Sequence, residues 1–142
     1  MKNLEIYIHI PFCVRKCEYC DFLSFPADDD AKLRYVKGLM AEMIFYGPLM
    51  KNYQVSSVYI GGGTPSSIDE QWIAALMEGV FDCFNVLPDA EISIECNPGT
   101  LSREKLLAYR DAGINRLSIG LQSANNDELK LLGRCLLYTS PS

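Results

Sequence analysis

Long apolar runs are missing from this 142-residue sequence. No stretch approaches the roughly 18 apolar residues that a helix needs to cross a bilayer. Residues 1–5 lead into a short mixed stretch instead of the apolar core of a signal peptide, so the sequence predicts a cytoplasmic protein. Clusters of Lys and Arg are missing too, and the net charge is −5. Nucleic acid is therefore not an expected partner.

Two phosphate-binding motifs are also absent. The glycines at 61–63 are followed by Thr64-Pro65 rather than by the Lys-Ser/Thr of a P-loop, and they lack the G-x-G-x-x-G spacing of dinucleotide folds. Nucleoside triphosphates and NAD are thereby disfavoured as ligands. Histidine is scarce as well, since His9 is the only one. We interpret His9 as a histidine satisfied within its strand and do not assign it as a heme ligand.

Cysteine, by contrast, is clustered. Three of the six cysteines, Cys13, Cys17 and Cys20, have C-x3-C-x2-C spacing. Three thiolates on one short loop hold three irons of a [4Fe–4S] cluster and leave the fourth iron free for a ligand, whereas an electron-transfer cluster normally takes four cysteines. The alternative is a zinc site in which His9 completes a Cys3His set. No second Cys/His pair follows at a spacing suited to zinc, so the cluster is the preferred interpretation.

Strand and helix patterns alternate four times along the chain. Apolar stretches with period-two alternation predict strands, and Asp or Ser caps with Gly or Pro stops bound the helices between them. The predicted strands are 5–10, 57–60, 92–96 and 116–122, and the predicted helices are about 28–46, 67–84, 102–112 and 127–132. Ser67 and Glu70 form a capping-box pattern at the second helix. This alternation predicts an α/β fold with a parallel sheet, either doubly wound or a β/α barrel.

The residues suited to ligand binding follow the predicted strands. The cysteine loop follows the first strand, the glycines follow the second, and Glu95 and Gln122 end the third and fourth. Because parallel α/β folds bind ligands at the carboxyl ends of their strands, we expect one site there. Glycine backbone permits close approach, Glu95 suits ribose hydroxyls, and Gln122 offers a donor and an acceptor. A tight turn, an exposed carboxylate and a polar core residue are the respective alternatives.

Five ordered motifs resemble one protein family. They are residues 9–13, the C-x3-C-x2-C loop, residues 61–65, Glu95 with Asn97-Pro98, and residues 113–123. Over residues 4–134 they resemble the oxygen-independent coproporphyrinogen III oxidase family of radical S-adenosylmethionine (SAM) proteins. The resemblance implies four β/α units of that superfamily's partial (β/α)6 barrel, truncated. It also implies two cofactors, a [4Fe–4S] cluster and SAM, and a chemistry in which the reduced cluster cleaves SAM to a 5′-deoxyadenosyl radical.

The resemblance implies roles for individual residues. The cluster is expected to be held by Cys13, Cys17 and Cys20. The SAM that is cleaved is expected to contact Tyr7, Gly62 and Glu95. In the oxidases a second SAM is contacted at positions that match Tyr19, Gly63, Thr64, Gln122 and Arg134. No catalytic residue is assigned.

The residues after Cys20 separate two branches of the family. The oxidases resemble C-x3-C-x2-C-G-C, whereas Cys20 is followed here by Asp21-Phe22, which is similar to the heme chaperone branch, HemW. The preferred function is a heme chaperone that carries heme or porphyrin to apoproteins, with membrane association only peripheral, through the recipient. The alternatives are a coproporphyrinogen III dehydrogenase-like oxidase performing radical oxidative decarboxylation, and a zinc-stabilised module without redox chemistry. Whether the chain is an enzyme is therefore left open.

The last residues do not match the family. We interpret 1–134 as the N-terminal part of a radical SAM core barrel, and 135–142 as a tail that arose by truncation or frame-shift. Three cysteines lie outside the predicted cluster loop. Cys83 and Cys96 are expected to be ordinary buried thiols, and Cys135 is treated as incidental.

Overall fold

A computed structural model of the chain describes residues 1–12 and 29–119. Within these residues, four strands alternate with three helices. The strands are β1 (Lys2–Ile10), β2 (Tyr53–Gly62), β3 (Val86–Cys96) and β4 (Arg116–Ile119). The helices are α1 (Asp29–Tyr46), α2 (Glu70–Cys83) and α3 (Arg103–Asp111), and short 3₁₀ turns cover Pro48–Met50, Pro65–Ser67 and Pro98–Thr100. None of the helices in this part of the chain is long and apolar enough to span a bilayer.

The strands form one sheet in the order β1-β2-β3-β4, and every neighbouring pair is parallel. Helix α1 packs beside α2, and α2 packs beside α3. Each right-handed crossover therefore advances by one strand and leaves its helix on the same face of the sheet. A doubly wound layer would reverse its strand order at a switch point. The arrangement is instead a sector of a β/α barrel, the second of the two architectures that the alternation predicts.

The sheet has one apolar and one polar face, because successive residues of a strand point to opposite sides. The apolar face is buried under the helices and is built from Ile8, Ile10, Val58, Ile60, Ile92, Ile94, Leu117 and Ile119. Each such side chain contributes about 1.5–3 kcal/mol through its burial. The strand registers place on the opposite face Tyr7, His9, Tyr59, Gly61, Ser93, Glu95, Arg116 and Ser118. The apolar face thus forms the core, and the polar face carries the side chains that can bind a ligand.

The start of α2 differs from the prediction. Asp69 is the N-cap, and its side chain accepts a hydrogen bond from the backbone N–H of Gln71 at 2.8 Å. Ser67 lies instead in the preceding 3₁₀ turn, where its N–H donates to the carbonyl of Thr64 at 2.8 Å. The predicted capping box of Ser67 with Glu70 is therefore wrong, because the 3₁₀ turn delays the helix. The predicted helix 102–112 is confirmed as α3, and Ser102 is its N-cap, since Ser102 Oγ accepts from Lys105 N–H at 3.1 Å.

Three strands begin earlier than the sequence pattern predicts. Strand β1 starts at Lys2 rather than at residue 5, β2 starts at Tyr53 rather than at 57, and β3 starts at Val86 rather than at 92. Leu4 pairs with Val55 and Glu5 pairs with Ser57, so β2 contains one extra residue there, whereas β1 alternates without interruption from Leu4. Strand β3 contains a longer irregularity, because Val86 pairs with Val55 and Glu91 with Ser57. Such extra residues reset the alternation of side chains, so the period-two signal of β2 and β3 begins only after them. The predicted end of the fourth strand and the predicted helix 127–132 lie outside the described residues.

Asn115, the residue before β4, is hydrogen-bonded to β3 through its backbone and through its side chain. Its N–H donates to the carbonyl of Ile92, and its Oδ1 accepts from the N–H of Ile92, both at 2.9 Å. Its Nδ2 donates to the carbonyl of Ala90 at 2.9 Å. Ile92 and Ala90 are both buried. The amide side chain therefore satisfies two buried backbone groups that the sheet ladder does not reach.

We expect Asn115→Ala to destabilise the protein by about 1–3 kcal/mol, because it leaves a buried donor and a buried acceptor unpaired. The matched control is Glu91→Gln, which breaks the exposed ion pair of Glu91 with Arg116, whose Nη1 lies 2.7 Å from Glu91 Oε1. An exposed pair contributes less than about 1 kcal/mol. Urea unfolding of both variants measures the difference. Equal losses of unfolding free energy would contradict the role given to Asn115.

Candidate functional site

The carboxyl ends of the strands meet at one open cleft of about 380 Å³. It is lined by residues 63–65 after β2, residues 95–98 at the end of β3, and residues 118–119 at the end of β4. The structure thus brings together three residues that the sequence nominates from separate motifs: Gly63, Thr64 and Glu95. Asn97 and Ser118 also line the cleft. The sequence analysis did not nominate them for this site, although the strand-end rule applies to both positions.

Glu95 is held against the glycines of the neighbouring strand. Its Oε1 accepts a hydrogen bond from the N–H of Gly62 at 3.0 Å. A Cβ at Gly61 would lie 2.1 Å from the same oxygen, and also 2.8 Å from Cε1 of Tyr59. The Glu95 carboxylate and the Tyr59 ring therefore occupy the space above Gly61. Within residues 1–12 and 29–119, no hydrogen bond reaches the second oxygen, Oε2.

Gly62 is required for a second reason. Its φ is +119°, a region that residues with a side chain rarely adopt. A Cβ there would lie 2.6 Å from the carbonyl oxygen of Ile10 and 2.8 Å from the ring of His9. Because both contacts are too short, the end of β2 needs bare backbone at this position. Gly61 and Gly62 are thus explained by the close approach of neighbouring atoms, not by a tight turn alone.

The chain leaving β1 is fixed to the glycine loop. Gly63 N–H donates to the carbonyl of Ile10, and Thr64 N–H donates to the carbonyl of Phe12, both at 2.7 Å. Phe12 is 1% exposed and packs edge-on against Tyr35, with ring centroids 5.3 Å apart. The residue before Cys13 is therefore anchored beside the cleft. The remaining predicted site residues lie outside the described residues: Cys13, Cys17, Tyr19, Cys20, Gln122 and Arg134.

Tyr7 lies on the polar face of β1, with 57% of its surface exposed. Its hydroxyl pairs with His9 Nδ1 at 3.0 Å, and its ring stacks on Tyr59 with centroids 6.1 Å apart. Partial burial raises the pKa of Tyr7, and the charge of Glu95 raises it further. Tyr7 is therefore a neutral hydrogen-bonding group at pH 7. Tyr59 was not nominated by the sequence analysis, although it stands two residues before Gly61 and period two puts it on the same face.

His9 lies on the same face and is half-buried. Besides the Nδ1 contact, its carbonyl accepts a hydrogen bond from the Tyr35 hydroxyl. Its Nε2 is buried and has no partner within the described residues. That same part of the chain contains no group of three His, Cys, Asp or Glu side chains arranged to hold a metal ion. The zinc alternative depends on the cysteine loop and stays a prediction.

The two cysteines within the described residues are both free. Cys96 is 6% exposed, and its Sγ contacts the carbonyl of Ile94 at 3.6 Å. Burial raises the pKa of the Cys96 thiol to about 12. It is an ordinary buried thiol, as predicted, and not a thiolate available to a metal. Cys83, at the end of α2, is only half-buried.

Comparison with known proteins places the chain in a family. The Radical SAM superfamily matches residues 7–136. This chain belongs to the Radical SAM superfamily. The chain is similar to the heme chaperone HemW of Escherichia coli (strain K12), with 41% identity over 137 residues, 92% of this chain and 35% of that protein. It is also similar to the mitochondrial radical S-adenosyl methionine domain-containing protein 1 of Bos taurus, with 40% identity over 94% of this chain and 30% of that protein.

A solved structure shows the same fold. The coproporphyrinogen III oxidase HemN of Escherichia coli, a radical SAM enzyme, superposes with a TM-score of 0.78 and 32% sequence identity, and the match covers 96% of this chain and 30% of HemN. The chain spans about a third of the length of the curated relatives that it matches. The parallel sheet sector is therefore that of the radical SAM barrel, as the sequence motifs predict.

The close approach of Glu95 and Tyr59 to Gly61 gives a testable consequence. We expect Gly61→Ala to destabilise the protein by about 1–3 kcal/mol, because the new methyl group displaces Glu95 or Tyr59. The matched control is Gly38→Ala in α1, where a Cβ meets nothing within 4 Å. That change should stabilise the helix by about 0.5–1 kcal/mol. Urea unfolding compares the two, and a Gly61→Ala variant as stable as the unsubstituted protein would refute this account of the cleft.

Proposed function

We propose that the cleft binds SAM beside a [4Fe–4S] cluster held by Cys13, Cys17 and Cys20, in a heme chaperone of the HemW type. The observation that carries this proposal is the Glu95 carboxylate at the cleft. One oxygen is fixed by Gly62 N–H, and the other has no partner within the described residues. A fixed carboxylate at a strand end is the group that binds ribose hydroxyls in nucleotide sites.

The surroundings of Glu95 fit an adenosyl ligand. Gly61 and Gly62 carry no Cβ, so the Glu95 carboxylate lies close to their backbone. Gly63 lines the cleft together with Thr64, so a ligand can lie against bare backbone beside the carboxylate. The Tyr7 hydroxyl lies on the same face of the sheet, where His9 Nδ1 orients it. We assign Tyr7, Gly62 and Glu95 to the SAM that is cleaved, and Gly63 and Thr64 to a second SAM if one is bound.

The position of Phe12 supports a cluster at this end of the barrel. Its carbonyl is bonded to Thr64, and its ring is buried, so the three-cysteine loop starts beside the cleft. Cys13, Cys17 and Cys20 would hold a [4Fe–4S] cluster, which would supply an electron at low potential. The role of the described residues is to orient SAM, since Glu95 would bind the ribose and the backbone of Gly63 and Thr64 would lie against the ligand.

The chaperone assignment comes from the relatives and from one dipeptide. Several relatives at 36–41% identity are named heme chaperone HemW. Asp21-Phe22 also stands where the oxidase pattern has Gly-Cys. We therefore propose heme as cargo and heme-receiving apoproteins as partners, in a cytoplasm that keeps the thiols reduced. The second candidate is a coproporphyrinogen III oxidase, because the chain has the fold of HemN at 32% identity and that fold suits both functions.

Anaerobic reconstitution with iron and sulfide should give a reduced protein with the electron paramagnetic resonance signal of a [4Fe–4S]⁺ cluster, and SAM should shift that signal. Glu95→Gln should weaken SAM binding about tenfold or more, because charged hydrogen bonds to the ribose are lost. Glu91→Gln is the matched control, since Glu91 lies on the same strand and binds Arg116 instead. Absence of the cluster signal together with stoichiometric zinc would establish the zinc module and refute the proposal.

One assay distinguishes the heme chaperone branch from the oxidase branch. It uses a full-length relative that carries Asp-Phe after the third cysteine. We expect stable heme binding, seen as a Soret band, without anaerobic conversion of coproporphyrinogen III to protoporphyrinogen IX. The control is a full-length oxidase with the Gly-Cys pattern, which should turn over under the same conditions. Turnover by the Asp-Phe protein would assign the chain to the oxidases.

A further inference from the structure

Ser66 lies between the two loops that form the walls of the cleft. It belongs to the 3₁₀ turn after the glycines and is fully buried. Its Oγ accepts a hydrogen bond at 3.0 Å from the N–H of Asn97, which stands two residues after Glu95. One buried hydroxyl therefore links the backbone that follows the glycine loop to the backbone that follows Glu95.

The hydrogen bonds around Ser66 form a closed set with defined directions. Thr100 Oγ1 donates its single proton to the carbonyl of Asn97 at 2.7 Å. The Ser66 hydroxyl therefore donates to Thr100 Oγ1 while it accepts from Asn97 N–H. The carbonyl of Ser66 accepts a further hydrogen bond from Lys105 Nζ, on α3. Ser66 is thus bonded through its side chain and its carbonyl to three residues of the β3–α3 segment.

The same set reaches the cleft on both sides. On the β2 side, the turn that contains Ser66 is closed on Thr64, whose carbonyl accepts from Ser67 N–H at 2.8 Å. On the β3 side, Asn97 and Glu95 both line the cleft. A shift of one loop relative to the other would therefore change the distance between the Thr64 backbone and the Glu95 carboxylate. A displacement of about 1 Å in an active site can lower the reaction rate about a hundredfold, because the ligand is no longer held in its productive position.

We propose that Ser66 is a positioning residue for the cosubstrate cleft, whose hydroxyl holds the glycine-loop wall at a fixed distance from the Glu95 wall. It acts through Asn97 and Thr100 and does not touch the ligand. This inference rests on the proposed function, because SAM is the ligand whose binding reports the distance. The adjacent Ser67 provides a contrast, since its buried Oγ has no hydrogen-bond partner within the described residues.

The test compares three variants of the reconstituted protein: Ser66→Ala, Ser67→Ala and Ser66→Thr. Equilibrium binding of SAM is measured together with iron content and thermal unfolding. We expect Ser66→Ala to weaken SAM binding about tenfold at unchanged iron content. Ser67→Ala and Ser66→Thr should stay within about threefold of the unsubstituted protein, because neither removes one of these hydrogen bonds.

The outcomes are distinguishable from failure of the proposed function. If the unsubstituted protein binds SAM and Ser66→Ala binds it as tightly as Ser67→Ala does, the positioning role is wrong while the proposed function stands. If the unsubstituted protein does not bind SAM, both are wrong. Should Ser66→Ala fail to fold, Thr100→Val replaces it, because it removes the acceptor of the Ser66 hydroxyl at nearly constant shape. Thr100→Val should then weaken SAM binding in the same direction, and unchanged binding would overturn the inference.

Discussion

The contact of the Glu95 carboxylate with the glycine floor of β2 depends on strand register. Ile60 pairs with Ile94, so the next residues along, Gly61 and Glu95, lie side by side on the polar face. A slip of one residue would turn every side chain of the strand to the opposite face. Glu95 would then enter the apolar core, and Ile94 would face the cleft. The packing of isoleucines under the helices therefore fixes the geometry of the site, although none of them touches it.

This arrangement divides stability and chemistry between the two faces of the sheet. The apolar face carries fully buried aliphatic side chains from all four described strands, and these supply most of the free energy of folding. The polar face carries groups that gain little from folding, such as exposed Tyr7 and the Glu95 oxygen without a hydrogen bond in the described residues. Groups left partly unsatisfied by the protein are the ones that gain most from a ligand. The cleft therefore lies where the Glu95 carboxylate has an oxygen without a partner in the described residues and where Gly63 leaves backbone open to a ligand.

Much of this follows from the sequence because local patterns decide it. Alternation in β1, the caps and stops of the helices, and the strand-end rule together predict the β/α order and place Glu95 beside the glycines. Local patterns fail where a competing local structure intervenes. Irregular pairing hides the first residues of β2 and β3, and the 3₁₀ turn makes Asp69 the cap in place of Ser67. No local sequence pattern predicts the hydrogen bonds of Ser66, because its partners lie more than thirty residues away in the chain.

The cleft and the branch of the family are separate questions, because they depend on different residues. The proposed SAM contacts around Glu95 suit a chaperone as well as an oxidase, and the fold match to HemN reflects this common frame. The residues proposed to distinguish the two are Asp21-Phe22, directly after Cys20 of the predicted cluster loop. An extra thiol two residues beyond that cysteine adds a nucleophilic, redox-active group near a cluster, whereas Asp-Phe adds neither. The difference in function is therefore expected to arise around the cluster and its cargo, with SAM held in the same way in both branches.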